Sequence, residues 1–175
     1  MTFSRPRLAS NSALRHYLIA YLVLACLTAF ATRTTAQSLT VTNSDGHATT
    51  ISAAQIGKAD HRVAVDVDEH GAAAKFEGVP LATVLELAGV QLGDSMRGAW
   101  MAEVLLVSAS DGYKVTFALA EVDPAFAVRE IILADRKDGK PLDTREGPFR
   151  IIALGDKRPA RWIRQVTELK IISLK

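Results

Sequence analysis

The stretch Glu103–Leu119, EVLLVSASDGYKVTFAL, decides the fold class. It opens on an almost unbroken apolar run to Ala109. Turn chemistry follows at Ser110-Asp111-Gly112, and Tyr113, Val115, Phe117 and Leu119 then recur at every second position. An apolar run closed by an Asp-Gly turn and answered by a period-two pattern predicts a β-hairpin. Antiparallel pairing is therefore the starting assumption for the rest of the chain.

Further along, Glu130–Ala134, Phe149–Leu154 and Val166–Leu174 read as strands, with a polar loop carrying Asp138-Gly139 and Pro141 between the first two. In the other direction, Pro80 opens a helix with Leu81, Val84, Leu85 and Ala88 on one face and Gly89 at its end. Val63, Val65 and Val67 alternate with Ala64, Asp66 and Asp68, as in a half-buried strand. Ser52 with Gln55 three residues later forms a capping box for a short helix ending near Gly57, and Ser38–Asn43 predicts a strand before the Asp45-Gly46 turn. Few, short helices among antiparallel strands predict an α+β domain with a mixed or antiparallel sheet rather than a doubly wound fold.

The 175 residues are 49% hydrophobic and 23% charged, with a formal charge of +2 and one cysteine. These totals exclude a disordered polar chain, a collagen-like repeat, a disulfide-stapled miniprotein and a strongly basic nucleic-acid binder. They also conceal a division. Residues 1–36 carry Arg5, Arg7, Arg15 and Arg33 and no acid, and the 15 residues Tyr17–Ala31 are uncharged and mostly apolar. A bilayer span needs about 20 such residues, so the run suits the apolar core of a secretory signal better than an anchor. Thr34-Thr35-Ala36 supplies the small residues for cleavage before Gln37, which predicts a signal peptide at 1–36 and a single domain at 37–175. Pro6 separates Arg5 from Arg7, which breaks a twin-arginine signal and points to export in the unfolded state. The expected location is periplasmic or secreted, with no membrane span after cleavage. Cys26 lies inside the apolar run, where Val23-Leu24-Ala25-Cys26 makes a poor lipoprotein motif.

Cleavage changes the chemistry available. Residues 37–175 hold 17 basic and 19 acidic groups and no cysteine, so the domain is slightly acidic and has no thiol for a disulfide, a metal or a nucleophile. A role on nucleic acid loses its support.

Five blocks in order carry a resemblance. They are Phe76-Glu77-Gly78-Val79-Pro80-Leu81 leading into Leu85–Val90, Ser110–Tyr113, Asp138–Leu142, Gly147-Pro148-Phe149-Arg150, and Arg161-Trp162-Ile163. Together they resemble the oxidoreductase molybdopterin-binding domain of the sulfite oxidase family over roughly residues 61–172. The resemblance implies that family's α+β fold and a pterin cofactor whose molybdenum is held by the dithiolene and one cysteine thiolate upstream of the first block. Here that stretch reads Val65-Asp66-Val67-Asp68-Glu69-His70-Gly71, with no cysteine. A carboxylate or imidazole can ligate a metal, but hard oxygen and nitrogen donors are not equivalent to a thiolate. The expectation is a family member without a redox-active molybdenum centre, with no catalytic or metal-binding residue assigned and no resident cofactor. A molybdopterin enzyme with a noncysteine ligand is the alternative.

Charge is divided within the domain. Residues 37–128 carry 5 basic and 12 acidic groups, whereas 129–175 carry 12 basic and 7 acidic ones, with Arg145, Arg150, Lys157, Arg158, Arg161 and Arg164 close together. Guanidinium forks suit phosphate, sulfate and carboxylate. The corresponding family blocks contact the pterin phosphate and ring. The candidate site is an anion-binding cleft of Arg150, Lys157, Arg158 and Arg161 beside Trp162, with Tyr113 on its wall. Its ligand would be an anionic small molecule, and a periplasmic or membrane protein is the other candidate partner. Against it stands the reading that these cations pair with the acidic half or face water, that Trp162 is a core anchor and that Tyr113 is a half-buried strand aromatic. Asp66, Asp68, Glu69 and His70 suggest a hard-metal site, but the alternation places the two aspartates toward solvent, where polar side chains are expected. His47 and His61 have no ligand spacing and read as surface residues. No nucleophile triad, phosphate loop or zinc motif is present.

Overall fold

The computed structural model describes residues 37–60, 62–69 and 71–174. Residues 1–36, with Cys26 and the expected cleavage point, lie outside the described residues, as do His61 and His70.

Among the described residues, ten strands fall into two sheets. The first has the order β2-β1-β10-β5-β6, built from β1 (Ser38–Thr42), β2 (Ala48–Ser52), β5 (Glu103–Ala109), β6 (Lys114–Ala118) and β10 (Val166–Ser173). Only β1 and β10 run parallel in it, so the sheet is mixed. The second is antiparallel. In it β3 (Val63–Glu69), β4 (Ala72–Pro80) and β7 (Ile131–Lys137) lie in order, and β7 pairs with both β8 (Lys140–Pro141) and β9 (Arg150–Ala153). Among the described residues there are also three short α-helices, α1 (Ala53–Gly57), α2 (Leu81–Leu87) and α3 (Leu119–Val122). This is the α+β architecture expected from the alternation, and no described helix is long and apolar enough to cross a membrane.

Local chemistry explains most elements. The β5–β6 hairpin closes on Gly112 at φ +86°, with Val115 and Phe117 buried and Lys114, Thr116 and Ala118 exposed. The Ser52–Gln55 capping box is present, with the Gln55 amide donating to Ser52 Oγ and the Ser52 amide to Gln55 Oε1. Helix α2 buries Leu81, Ala82, Val84 and Leu85 and stops before Gly89, whose φ of +85° is open to glycine.

Three details depart from the sequence reading. Ala72–Pro80 is a strand that the sequence does not announce, because three alanines and a glycine blur its period. Gly78 sits there at a bulge against β7, where a Cβ would meet the Leu133 carbonyl oxygen at 2.2 Å. The polar segment at Asp138-Gly139 is a hairpin turn, both residues having positive φ, and it joins β7 to β8. Asp138 also bonds across to Lys75, its carboxylate accepting from the Lys75 amide at 2.9 Å. Leu119 is buried at the start of α3 rather than on the returning strand.

Both sheets contribute to one hydrophobic core, from Leu39, Leu105, Phe117 and Leu169 on the first to Phe76, Val79, Ile132 and Ile152 on the second. The segments that leave this core, the β5–β6 turn and the stretch between β9 and β10, form the walls of a groove.

Candidate functional site

A groove of about 500 Å³ opens between the β5–β6 turn and the chain that links β9 to β10. The turn contributes Ala109, Asp111 and Tyr113. The link contributes Arg158, Pro159, Ala160, Trp162, Ile163 and Arg164, and Arg150 at the start of β9 lies at the bottom. Tyr113 ties the two walls together, its hydroxyl donating to the Ala160 carbonyl at 3.0 Å. Trp162 is buried, and its indole N–H donates to the Ala153 carbonyl at 3.0 Å. That bond satisfies a donor which burial would otherwise penalise.

The floor is a charge network. Arg150 is 1% exposed. Its Nη2 donates to Glu69 Oε1 at 2.5 Å and its Nη1 to Glu146 Oε1 at 2.9 Å, while the guanidinium carbon lies 4.9 Å from the centre of the Phe76 ring. Lys137 completes Glu69, with Nζ 2.7 Å from Oε2. Burial pushes the Glu69 carboxyl up, but hydrogen bonds from Arg150 and Lys137, with their charges, outweigh it and hold the group at about 2. Arg150 is thus neutralised from below by two carboxylates. Its Nε, buried and without a hydrogen-bond partner among the described residues, is the one unmatched donor of the network.

The rim differs. Arg158 is exposed and makes no ion pair among the described residues, and Arg164, 48% exposed at its side chain, stands 3.7 Å from Glu69 and 4.0 Å from Glu146. Arg158 is therefore the rim cation without a carboxylate partner among the described residues, while Arg164 lies at the edge of the floor's ion pairs. Asp111 is the acid on the rim, and its carboxylate accepts from the Tyr113 amide at 2.9 Å.

Of the residues expected in the cleft, the structure gathers Tyr113, Arg150, Arg158 and Trp162 and leaves two out. Lys157 points into solvent and lines nothing. Arg161 turns away to Asp156, which it grips with Nε at 2.8 Å and Nη2 at 2.7 Å, and to Glu121 with Nη1 at 2.7 Å. Arg129 joins both carboxylates. The Arg161 hydrogen bonds lower the Asp156 carboxyl against a smaller opposing effect of burial, and the bond to Asp156 raises Arg161.

The acidic stretch of β3 divides as its alternation demands: Asp66 and Asp68 are exposed, Asp68 capping the Gly71 amide at 2.6 Å, and Glu69, on the face of Val65 and Val67, points inward to Arg150. His47 is exposed beside Asp45, and no group of three metal-ligating side chains occurs among the described residues. The sequence reading missed Glu69, Glu146 and Lys137 as partners of Arg150. Alternation with Val65 and Val67 could have placed Glu69 on the inner face and the four-residue spacing could have paired Glu146 with Arg150, but nothing local joins Glu69 to Arg150, 81 positions away.

The class defined by fold and site is a two-sheet α+β domain with an arginine-rimmed groove beside a buried arginine. A family model described as oxidoreductase molybdopterin binding domain matches residues 25–173, and the chain belongs to that family. Among solved structures it is similar to the sulfane dehydrogenase SoxCD from Paracoccus pantotrophus, with a TM-score of 0.59 and 15% identity over 78% of this chain and 38% of that one. At that identity the likeness is one of fold, and the chain spans about two fifths of its neighbour's length. No curated protein matches the sequence.

The family's cofactor sets two demands on these residues, and they meet one. Molybdenum calls for a thiolate upstream of Phe76, where the described residues of β3 supply only carboxylates, and Glu69 has both oxygens engaged by cations. That donor set does not fit the metal as the family holds it. An anionic group, in contrast, fits the rim of Arg158 and Arg164.

Proposed function

We propose that residues 37–175, exported and freed of their leader, act as a periplasmic binding or accessory domain that holds an anionic small molecule in this groove without a redox-active molybdenum centre. One observation carries the reading: the groove presents Arg158, which makes no ion pair among the described residues, beside Arg164, held only at the long edge of ion-pair distance from Glu69 and Glu146, above a third arginine that two carboxylates match closely. Fixed guanidinium groups at the mouth of a part-apolar groove attract an anion and orient it, while Tyr113, Pro159 and Trp162 supply apolar contact for the rest of the ligand. Nothing in the groove is placed as a nucleophile beside a base, which favours binding over hydrolysis.

The test starts from processed protein purified from the periplasm of its own host. Molybdenum is measured by mass spectrometry and pterin by the fluorescence of the oxidised extract, and inorganic phosphate, pyrophosphate and sulfate are titrated by calorimetry. The expected result is no stoichiometric molybdenum, with anion binding that Arg158→Gln weakens. Near-stoichiometric molybdenum and pterin would overturn the reading in favour of an oxidoreductase with a noncysteine ligand. Absence of binding by every anion would remove the groove as the site and leave a protein partner as the remaining candidate.

A further inference from the structure

The geometry points to a second role for an arginine: Arg161 positions the loop that presents Arg158 and makes no contact with the anion. This inference rests on the groove being the ligand site. Residues 155–161 leave β9 and return through a single 3-10 turn, Pro159–Arg161, to Trp162. Beyond that turn, backbone bonds from the Asp156 and Trp162 amides and the Tyr113 hydroxyl on the Ala160 carbonyl touch only its ends, so the order of its middle must come largely from other side chains. Arg161 supplies that order. Its fork closes on both oxygens of Asp156, which brackets Lys157, Arg158, Pro159 and Ala160 between two ends of one ion pair. Its remaining Nη1 reaches Glu121 on α3, fastening the bracketed loop to the body of the domain. The guanidinium also lies over Phe117 of β6, its carbon 4.5 Å from the ring centre, so the clamp rests on a buried side chain of the first sheet.

Electrostatics separates the two arginines of the loop. Arg161 and Arg129 face Asp156 and Glu121, two cations against two carboxylates, so the cluster has no net charge to offer a ligand. Arg158 is bracketed by that cluster yet makes no ion pair among the described residues, and it lines the groove that Arg161 does not. A loop already held in its binding geometry spares the ligand the cost of ordering it, and affinity falls in proportion to the fraction of time the loop is elsewhere.

The experiment uses the full processed protein with pyrophosphate as probe and reads hydrogen exchange, affinity and salt dependence together. Arg161→Gln and Asp156→Asn are expected to speed amide exchange in the peptide covering residues 155–162 by about tenfold, with β5 and β10 unchanged, as a local opening does. Pyrophosphate affinity is expected to fall by up to about twofold, through the lost population of the competent loop, at an unchanged salt dependence. Arg158→Gln is expected to do the reverse, leaving exchange alone and lowering both affinity and its salt dependence. Arg161→Lys keeps the charge, loses the fork, and is expected to resemble Arg161→Gln.

Unchanged exchange at 155–162 in Arg161→Gln and Asp156→Asn would overturn the inference, whether or not any anion binds. Faster exchange with unaltered affinity would also overturn it, and so would a reduced salt dependence in Arg161→Gln, which would put Arg161 in contact with the anion. If the wild type binds no pyrophosphate, the ligand site fails, while the exchange data still decide the clamp.

Discussion

Arg150 and Arg161 flank the same stretch of chain, and each holds two carboxylates. Their surroundings make them different devices. The Arg150 side chain is 2% exposed and its partners Glu69 and Glu146 come from β3 and from the turn before β9, so the network binds distant parts of the fold together. The Arg161 side chain is 29% exposed, and its nearest partner lies five positions away in the same loop. The contrast teaches that burial, more than the number of ion pairs, decides what an arginine does: the first is part of folding and the second of local order.

The largest effect that separates them is expected at Arg150. Arg150→Ala leaves two carboxylates without their shared cation in the interior and is expected to cost about 3–5 kcal/mol, read as a lower midpoint in urea. A loss near zero would mean that Glu69 and Glu146 reach water. The second effect is acid sensitivity. Because the Glu69 carboxyl is held at about 2 against an ordinary 4.5, its contribution is complete above pH 4.5 and disappears as the pH falls through 4.5 toward 2. The shift corresponds to about 3 kcal/mol, measured as the drop in unfolding free energy across that window. Glu69→Gln is expected to flatten the slope while lowering stability at neutral pH.

Arg161→Lys comes next and sharpens the comparison. At a partly exposed pair the stability loss is expected to be about 1 kcal/mol or less, so the thermal midpoint moves little even where loop exchange changes. The smallest effect is expected at Lys157, which pairs with nothing among the described residues: Lys157→Ala is expected to stay within about 0.5 kcal/mol in stability and to leave Arg150 and Arg161 undisturbed. A drop comparable to that at Arg150 would show that Lys157 is engaged in the network.

Legibility follows the range of each interaction. The β5–β6 hairpin, the Ser52–Gln55 box and the stop at Gly89 rest on residues a few positions apart, and all were readable. Strand β4 was not, since Ala72–Ala74 and Gly78 have no alternation of their own, and its pairing with β3 and β7 is what defines it. At the site, Tyr113, Arg158 and Trp162 were readable as candidates because turn and cation signals are local. The separation of Arg161 from the groove was not, because Glu121 lies forty positions from it.

By itself, the sequence determined the α+β class, the resemblance that the family match bears out, and the absence of any cysteine from residues 37–175, since each depends on identity and period along the chain. Only the tertiary structure decided which arginines are free to meet a ligand. Charges that read alike in one dimension are told apart by the carboxylates and the dielectric that folding brings to them. Arg150 is matched in the interior, Arg161 is clamped in its loop, and Arg158 stands at the rim of the groove.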